Sequence, residues 1–163
     1  MRKALAILAG ILVLVAANYG IAAKERLRRD GQPLFLVLAP VDPRSLMQGD
    51  YMALEFQVAR EAFGWRAQQR SGDGYLVLAL DERGVGSYRR IDDGGELAAD
   101  ELRWRYRLRD GRPLLVTDAY FFQEGTGEIY EAARFGEFRV GRDGEALLIG
   151  LRDAELAPLG PPR

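Results

Sequence analysis

Residues Ala4 to Ala23 form a run of twenty residues without a charge, bounded by Arg2 and Lys3 before it and by Lys24, Arg26, Arg28 and Arg29 after it. At about 1.5 Å of rise per residue a helix of this length spans roughly 30 Å, the thickness of a bilayer's hydrocarbon core. Nine of the twenty are Leu, Ile or Val. At ~0.3 to 0.6 kcal/mol each they favour insertion by about 3 to 5 kcal/mol, and Asn18 offsets part of that. The run reads as a single transmembrane helix retained as a signal-anchor. The rival reading is a cleaved signal peptide, with Val15-Ala16-Ala17 as its small-residue site. The anchor is favoured because the apolar stretch continues through Tyr19, Gly20 and Ile21 and no lipobox cysteine exists. Basic residues flank both ends in similar number, so charge alone does not fix orientation. A short basic start before one apolar segment is the usual layout for a cytoplasmic N-terminus, which puts the rest of the chain on the other side of the membrane.

The remaining length suits one core. Residues 1–30 are expected to form the anchor and a stalk ended by Gly31, residues 31–157 one β-rich extracytoplasmic domain, and residues 158–163, with Pro158, Gly160, Pro161 and Pro162, a disordered tail. Within the body the period is two, that of strands with one buried face. Leu102, Trp104, Tyr106 and Leu108 alternate with Arg103, Arg105, Arg107 and Arg109. Met52, Leu54, Phe56 and Val58 similarly share one face of a strand over Tyr51 to Val58. Further strands are expected over Leu34 to Ala39, Tyr75 to Leu80, Ser87 to Ile91, Leu114 to Phe122, Phe135 to Val140 and Ala146 to Leu151. Tyr75 to Leu80 is apolar throughout, as a central strand would be.

Asp-Gly pairs at Asp110-Gly111 and Asp143-Gly144 read as hairpin turns, because Gly accepts positive φ and Asp tolerates it. Arg83-Gly84-Val85-Gly86 turns the chain between two strands. A helix of about two turns is expected over Gly127 to Arg134 with Thr126 as its N-cap, and a further helical turn over Glu96 to Glu101. The fold class is α+β: a single N-terminal transmembrane helix followed by a mainly antiparallel β domain with short helices.

The chain has no His and no Cys, and its only lysines are Lys3 and Lys24. This excludes histidine acid-base chemistry, thiol nucleophiles, disulfides, imidazole or thiolate metal sites, and a lysine Schiff base within the body. With 23 basic and 24 acidic residues the net charge is −1, so no basic field draws nucleic acid. No cofactor, catalytic residue or metal ligand is assigned.

The most distinctive stretch runs from Pro40-Val41-Asp42-Pro43-Arg44 to Gly49-Asp50-Tyr51-Met52-Ala53-Leu54-Glu55-Phe56. Asp42 is placed to cap a helical turn begun by Pro43, and Gly49 to end it. Gly49-Asp50-Tyr51-x-x-Leu54-x-Phe56 resembles the signature of the bacterial GDYXXLXY family, with Phe56 where the last Tyr stands. The Pro-Val-Asp-Pro-Arg stretch and a later Phe121-Phe122-Gln123-Glu124-Gly125-Thr126-Gly127 also fit that family, and the likeness extends over nearly the whole chain. The resemblance implies a membrane-anchored bacterial protein, often encoded beside multi-pass membrane proteins, with no established reaction. The localisation expected is then the cytoplasmic (inner) membrane, single-pass, with the C-terminal domain in the periplasm or outside the cell. Phe56 lacks a hydroxyl, so a role that needs one is not available at this position.

Several residues could carry a site. Ser45 superficially resembles the nucleophile of a membrane signal peptidase, but it lies four residues before Gly49, too close for that pattern, and no lysine beyond Lys24 can serve as base. Asp42, Asp50 and Glu124, with Arg44 nearby, could form a carboxylate site for catalysis or a cation. Glu124-Gly125-Thr126-Gly127 could present backbone N–H groups to an anion, although the start of a helix explains it as well. Arg103, Arg105, Arg107 and Arg109 share one strand face, where they could meet anionic headgroups or an acidic partner, or be balanced by acids on a neighbouring strand. The motif residues singled out are Asp42, Arg44, Gly49, Asp50, Tyr51, Leu54, Glu124, Gly125 and Gly127. The partners expected are the bilayer, through residues 4–23, and a multi-pass membrane protein. The favoured function is a non-enzymatic accessory or assembly protein; the alternative is an envelope enzyme or a ligand- or cation-binding module using Asp42, Asp50 and Glu124.

Overall fold

A computed structural model describes residues 2–39, 47–48, 51–64, 72–109 and 112–161. Asp42, Arg44, Gly49 and Asp50, and with them the capped turn expected at Asp42-Pro43, lie outside the described residues, as does the Asp110-Gly111 turn.

The apolar run is the core of α1 (Arg2–Asp30), 29 residues long. It has a membrane-length window of mean hydropathy 2.1, no part of which is buried by the rest of the chain. Asn18 within it donates its side-chain N–H to the Leu14 carbonyl at 2.8 Å, so one polar group in the span is satisfied by the helix's own backbone. The helix stops at Gly31, whose N–H donates to the Leu27 carbonyl at 2.9 Å. A Cβ at Gly31 would lie 2.4 Å from that carbonyl oxygen and 2.9 Å from Arg139 Cβ, so only glycine lets the helix end this close to the sheet. The segment expected as a stalk is thus the last turn of α1, and it lies against the β domain.

The chain then forms β1 (Gln32–Val37), β2 (Met47–Gln48), β3 (Tyr51–Ala53), α2 (Gln57–Phe63), β4 (Gly74–Leu80), β5 (Gly86–Ile91), β6 (Glu101–Arg109), β7 (Arg112–Leu114), β8 (Ala119–Phe121), a 3-10 turn (Gly127–Tyr130), β9 (Phe135–Val140), β10 (Ala146–Arg152) and β11 (Pro158–Leu159). One four-stranded sheet runs β1-β9-β10-β11, a second runs β5-β4-β6-β7, and a three-stranded ribbon runs β2-β3-β8. All the strand pairs are antiparallel. Together with the apolar helix this is the α+β architecture expected.

The alternation in β6 sends Leu102, Trp104 and Tyr106 inward, and Trp104 meets Phe138 of β9 edge-on at 4.7 Å between centroids. Phe56 packs edge-on against Phe138 from another side at 5.4 Å. Leu34, Leu36, Leu76, Leu78 and Leu151 complete a core in which each of these leucines is 1% exposed or less. The sheets are also joined through backbone. Phe35 N–H donates to the Gly84 carbonyl and Arg105 N–H to the Gly144 carbonyl, both at 2.9 Å. Gly144 has φ 75, and a Cβ there would lie 3.2 Å from Arg105 N. The β9–β10 turn therefore needs glycine both for its conformation and for this approach.

Several local expectations are corrected. The strand expected to reach Val58 ends at Ala53, and α2 begins at Gln57, where Gln57 Nε2 bonds Glu61 Oε1 at 2.7 Å one helical turn on. Met52, Leu54, Phe56 and Val58 are nevertheless all buried. Leu114 to Phe122 is not one strand, because the Thr117 hydroxyl bonds the Ala119 carbonyl at 2.8 Å and turns the chain between β7 and β8. Gly127 to Arg134 is only a four-residue 3-10 turn, and Thr126 does not cap it, since its hydroxyl donates back to the Gln123 carbonyl at 2.6 Å. Between Glu96 and Glu101 there is one turn, closed by Glu101 N–H to the Ala98 carbonyl at 3.0 Å, and no helix. The tail expected to be disordered is ordered at its start. Pro158 and Leu159 pair with Arg152 and Leu151, and Gly160 lies against the Tyr130 ring.

The buried Trp104 N–H has no hydrogen-bond partner among the described residues, which costs about 1 to 3 kcal/mol. Replacing Trp104 by Phe removes that donor together with part of the ring, and the two effects oppose, so the predicted loss is under about 1.5 kcal/mol. Phe138→Ala opens a cavity between the sheets and is predicted to cost about 3 to 5 kcal/mol. Urea unfolding of the full chain in mild detergent measures both, and equal losses would contradict this account of the core.

Candidate functional site

Two regions carry the residues singled out from the sequence. In the first, β3 pairs with β8, setting Tyr51 opposite Phe121 and Met52 opposite Tyr120. The two signatures, 70 residues apart at Tyr51 and Phe121, are thereby one structural unit. Their rings lie 5.7 Å apart, with Phe121 67% exposed and Tyr51 half-buried. Behind them, Phe122 stacks on Tyr130 at 5.1 Å and Tyr120 meets the same ring at 5.3 Å.

Leu54 and Phe56 point into the core, and the backbone between them is held from both sides. Leu54 N–H donates to the Asp118 carbonyl, and Ala39 N–H donates to the Glu55 carbonyl, both at 2.7 Å. The Phe56 ring packs in the core, and the Phe56 carbonyl starts α2 by accepting from Ala59 N–H at 3.0 Å. Gly125, with φ 79, closes the turn in which Thr126 N–H donates to the Gln123 carbonyl at 3.1 Å, while Gly127 opens the 3-10 turn. Glu124 is exposed in that turn. Of the three acids considered for a carboxylate site it alone is among the described residues, and no group of three or more metal-ligating side chains occurs among them.

The second region surrounds the last turn of α1. Lys24 donates to Glu145 Oε1 at 2.7 Å, tying the helix to the start of β10. A cleft of about 660 Å³ lies on one side, lined by Arg26, Asp30, Glu101, Arg103 and Arg142 among others. A second, of about 280 Å³, is lined by Lys24, Arg105, Arg107, Glu145 and a group of apolar residues. The arginine face of β6 is not uniform. Arg103 donates from Nε to Asp92 Oδ2 at 2.8 Å and from its terminal nitrogen to the Gly95 carbonyl at 2.6 Å. Arg105 and Arg107 are exposed and make no ion pair among the described residues. Of Arg109 only the backbone, at the end of β6, is described.

Three carboxyls are held below their ordinary range. Glu101 is lowered first by its hydrogen bond from Arg90 and then by the Ala98 N–H. Asp93 is lowered by the Gly95 N–H and Glu55 by Arg60. A general acid working near neutral pH needs the opposite shift; these three are held as anions by their hydrogen-bond donors. Sequence reasoning missed the buried Glu137, which accepts from Arg152 Nε at 2.8 Å. Its partner lies on the neighbouring strand, and nothing in the local pattern of Phe135 to Val140 announces the pairing.

A family model described as GDYXXLXY protein matches residues 13–151, most of the chain, and the chain belongs to that family. No curated protein and no solved structure matches it.

A carboxyl whose folded value is lowered adds stability above its ordinary value and loses it as pH falls through the folded one. For Glu101 and Glu55 the ordinary value is 4.5. Stability is therefore predicted to fall as the medium is acidified below about pH 4.5. Glu101→Gln should make that fall shallower, and chemical unfolding at a series of pH values tests this. An unchanged slope would contradict the role given to the Arg90 pair.

Proposed function

We propose that this member of the GDYXXLXY family is a non-enzymatic accessory or assembly protein. In this reading α1 holds it in the bacterial cytoplasmic membrane and its β-rich domain, on the periplasmic or outer side, binds a multi-pass membrane partner. The observation that carries the proposal is the state of α1. No residue of its apolar window is buried by the rest of the chain, which supports a helix covered by lipid, by other membrane helices or by both. The helix continues without a linker into the sheet at Gln32, so a partner lying beside the span also lies beside the domain.

Two further features support the reading. The exposed ring of Phe121, set beside Tyr51, offers an aromatic surface of the kind enriched at protein interfaces. The chemical inventory contains no histidine or cysteine, and among the described residues the carboxyls with a shift, Glu55, Asp93 and Glu101, are lowered.

Pull-down of the full chain in mild detergent, from cells expressing the neighbouring genes, is predicted to recover a multi-pass membrane protein identified by mass spectrometry. Recovery of no membrane protein would count against the proposal. Protease added to spheroplasts is predicted to digest the β domain, and a protected domain would reverse the orientation.

A further inference from the structure

We propose that the smaller cleft beside the end of α1 is a site for the phosphate headgroup of an anionic phospholipid, with Arg105 and Arg107 as its cationic wall. The proposal rests on the reading that α1 spans a membrane. Lys24 is the first residue after the apolar run and lines this cleft. It stands only about 1.5 Å of helix rise past Ala23, whereas the headgroup region on each side of the hydrocarbon core is roughly 5 to 8 Å deep. A cleft that shares Lys24 with the anchor therefore opens at headgroup depth.

Its lining also fits a lipid. Lys24, Arg105 and Arg107 face a single carboxylate, Glu145, which Lys24 already engages at 2.7 Å. The two arginines are left to an external anion, and a guanidinium matches a phosphate in geometry as well as charge. Leu114 and Leu147 supply apolar wall, suited to the glycerol and upper acyl carbons that accompany a lipid phosphate but not a free one.

The larger cleft on the other side of α1 lacks this character, because Asp30 and Glu101 line it and Arg103 is already bound to Asp92. The four-arginine face read from the sequence thus divides. Arg103 holds the loop after β5, and Arg105 and Arg107 are available to the membrane surface.

The test uses the full chain reconstituted in nanodiscs containing equal phosphatidylglycerol and phosphatidylcholine, with the lipids retained on the protein counted by native mass spectrometry. The wild type is expected to retain phosphatidylglycerol preferentially. The preference should fall about fivefold for each arginine removed in Arg105→Gln/Arg107→Gln and largely persist in Arg105→Lys/Arg107→Lys, which keeps the charge. Arg83→Gln/Arg89→Gln, in which Arg83 lies exposed in the turn between β4 and β5 and Arg89 is exposed on β5, should match the wild type. Equal retention of the two lipids by the wild type, or an equal loss in the Arg83/Arg89 variant, would overturn the proposal. So would polyglutamate displacing phosphatidylglycerol at micromolar concentration, which would assign the cleft to an acidic protein. Flotation with pure phosphatidylcholine vesicles after an alkaline wash reads the anchor separately. Its failure would remove the membrane premise and the proposal with it, whereas flotation without lipid preference would overturn the cleft alone.

Discussion

Trp104 and Phe138 meet edge to face between the two four-stranded sheets, and both are fully buried. Because β6 and β9 are inner strands of their sheets, this contact sets how the sheets lie on one another. Aromatic pairs of this geometry stabilise by about 0.5 to 1.5 kcal/mol beyond the area they bury. From that packing follows the position of the β9–β10 turn, whose Gly144 carbonyl reaches the Arg105 N–H. The turn in turn sets Glu145 where Lys24 can reach it. The aromatic core and the seating of the apolar helix are thus linked through a few bonds.

That linkage gives the proposed anchor a mechanical meaning. A helix joined to its domain by a flexible stalk would leave the domain free to tumble over the bilayer. Here the helix ends on the sheet at Gly31, with Leu27 beside Gly141 and Lys24 paired to Glu145. An exposed ion pair alone contributes little, but a close backbone approach with an ion pair at its side favours one orientation. The end of the domain that bears Arg105, Arg107 and Arg142 then faces the same way as the helix, and the end that bears the β10–β11 turn faces away from it. The family motif serves this architecture from within. Tyr51 and Phe121 pair the ribbon strands, while Leu54 and Phe56 fill the core.

The sequence was most informative where burial follows a strict period. The alternation of β6, the bounds of β9 and the length of α1 could be read because each depends on residues a few positions apart. The ends of elements were less legible. Phe56 and Val58 continue the alternation of a strand, yet α2 starts between them, since both conformations bury these side chains and the choice rests on contacts with distant strands. Thr117 breaks an apolar run by a hydroxyl bond that composition does not reveal. The candidate site was legible only as separate pieces. The pairing of β3 with β8, and the division of the arginine face into a bound Arg103 and exposed Arg105 and Arg107, depend on distant partners, such as Phe121 for Tyr51 and Asp92 for Arg103, that no spacing rule selects.

The central claim is that α1 and the β domain form one body whose basic end rests at the membrane surface. With no native cysteine, the chain accepts single labels cleanly, and Arg107→Cys and Glu155→Cys place one at each end of the domain. Nitroxide relaxation in nanodiscs, compared between a lipid-anchored nickel chelate and a water-soluble one, measures the depth of each position. The account predicts that a label at position 107 responds mainly to the lipid-anchored chelate and a label at 155 mainly to the soluble one. Equal responses at the two positions would show a domain that moves freely on its anchor, and would contradict it.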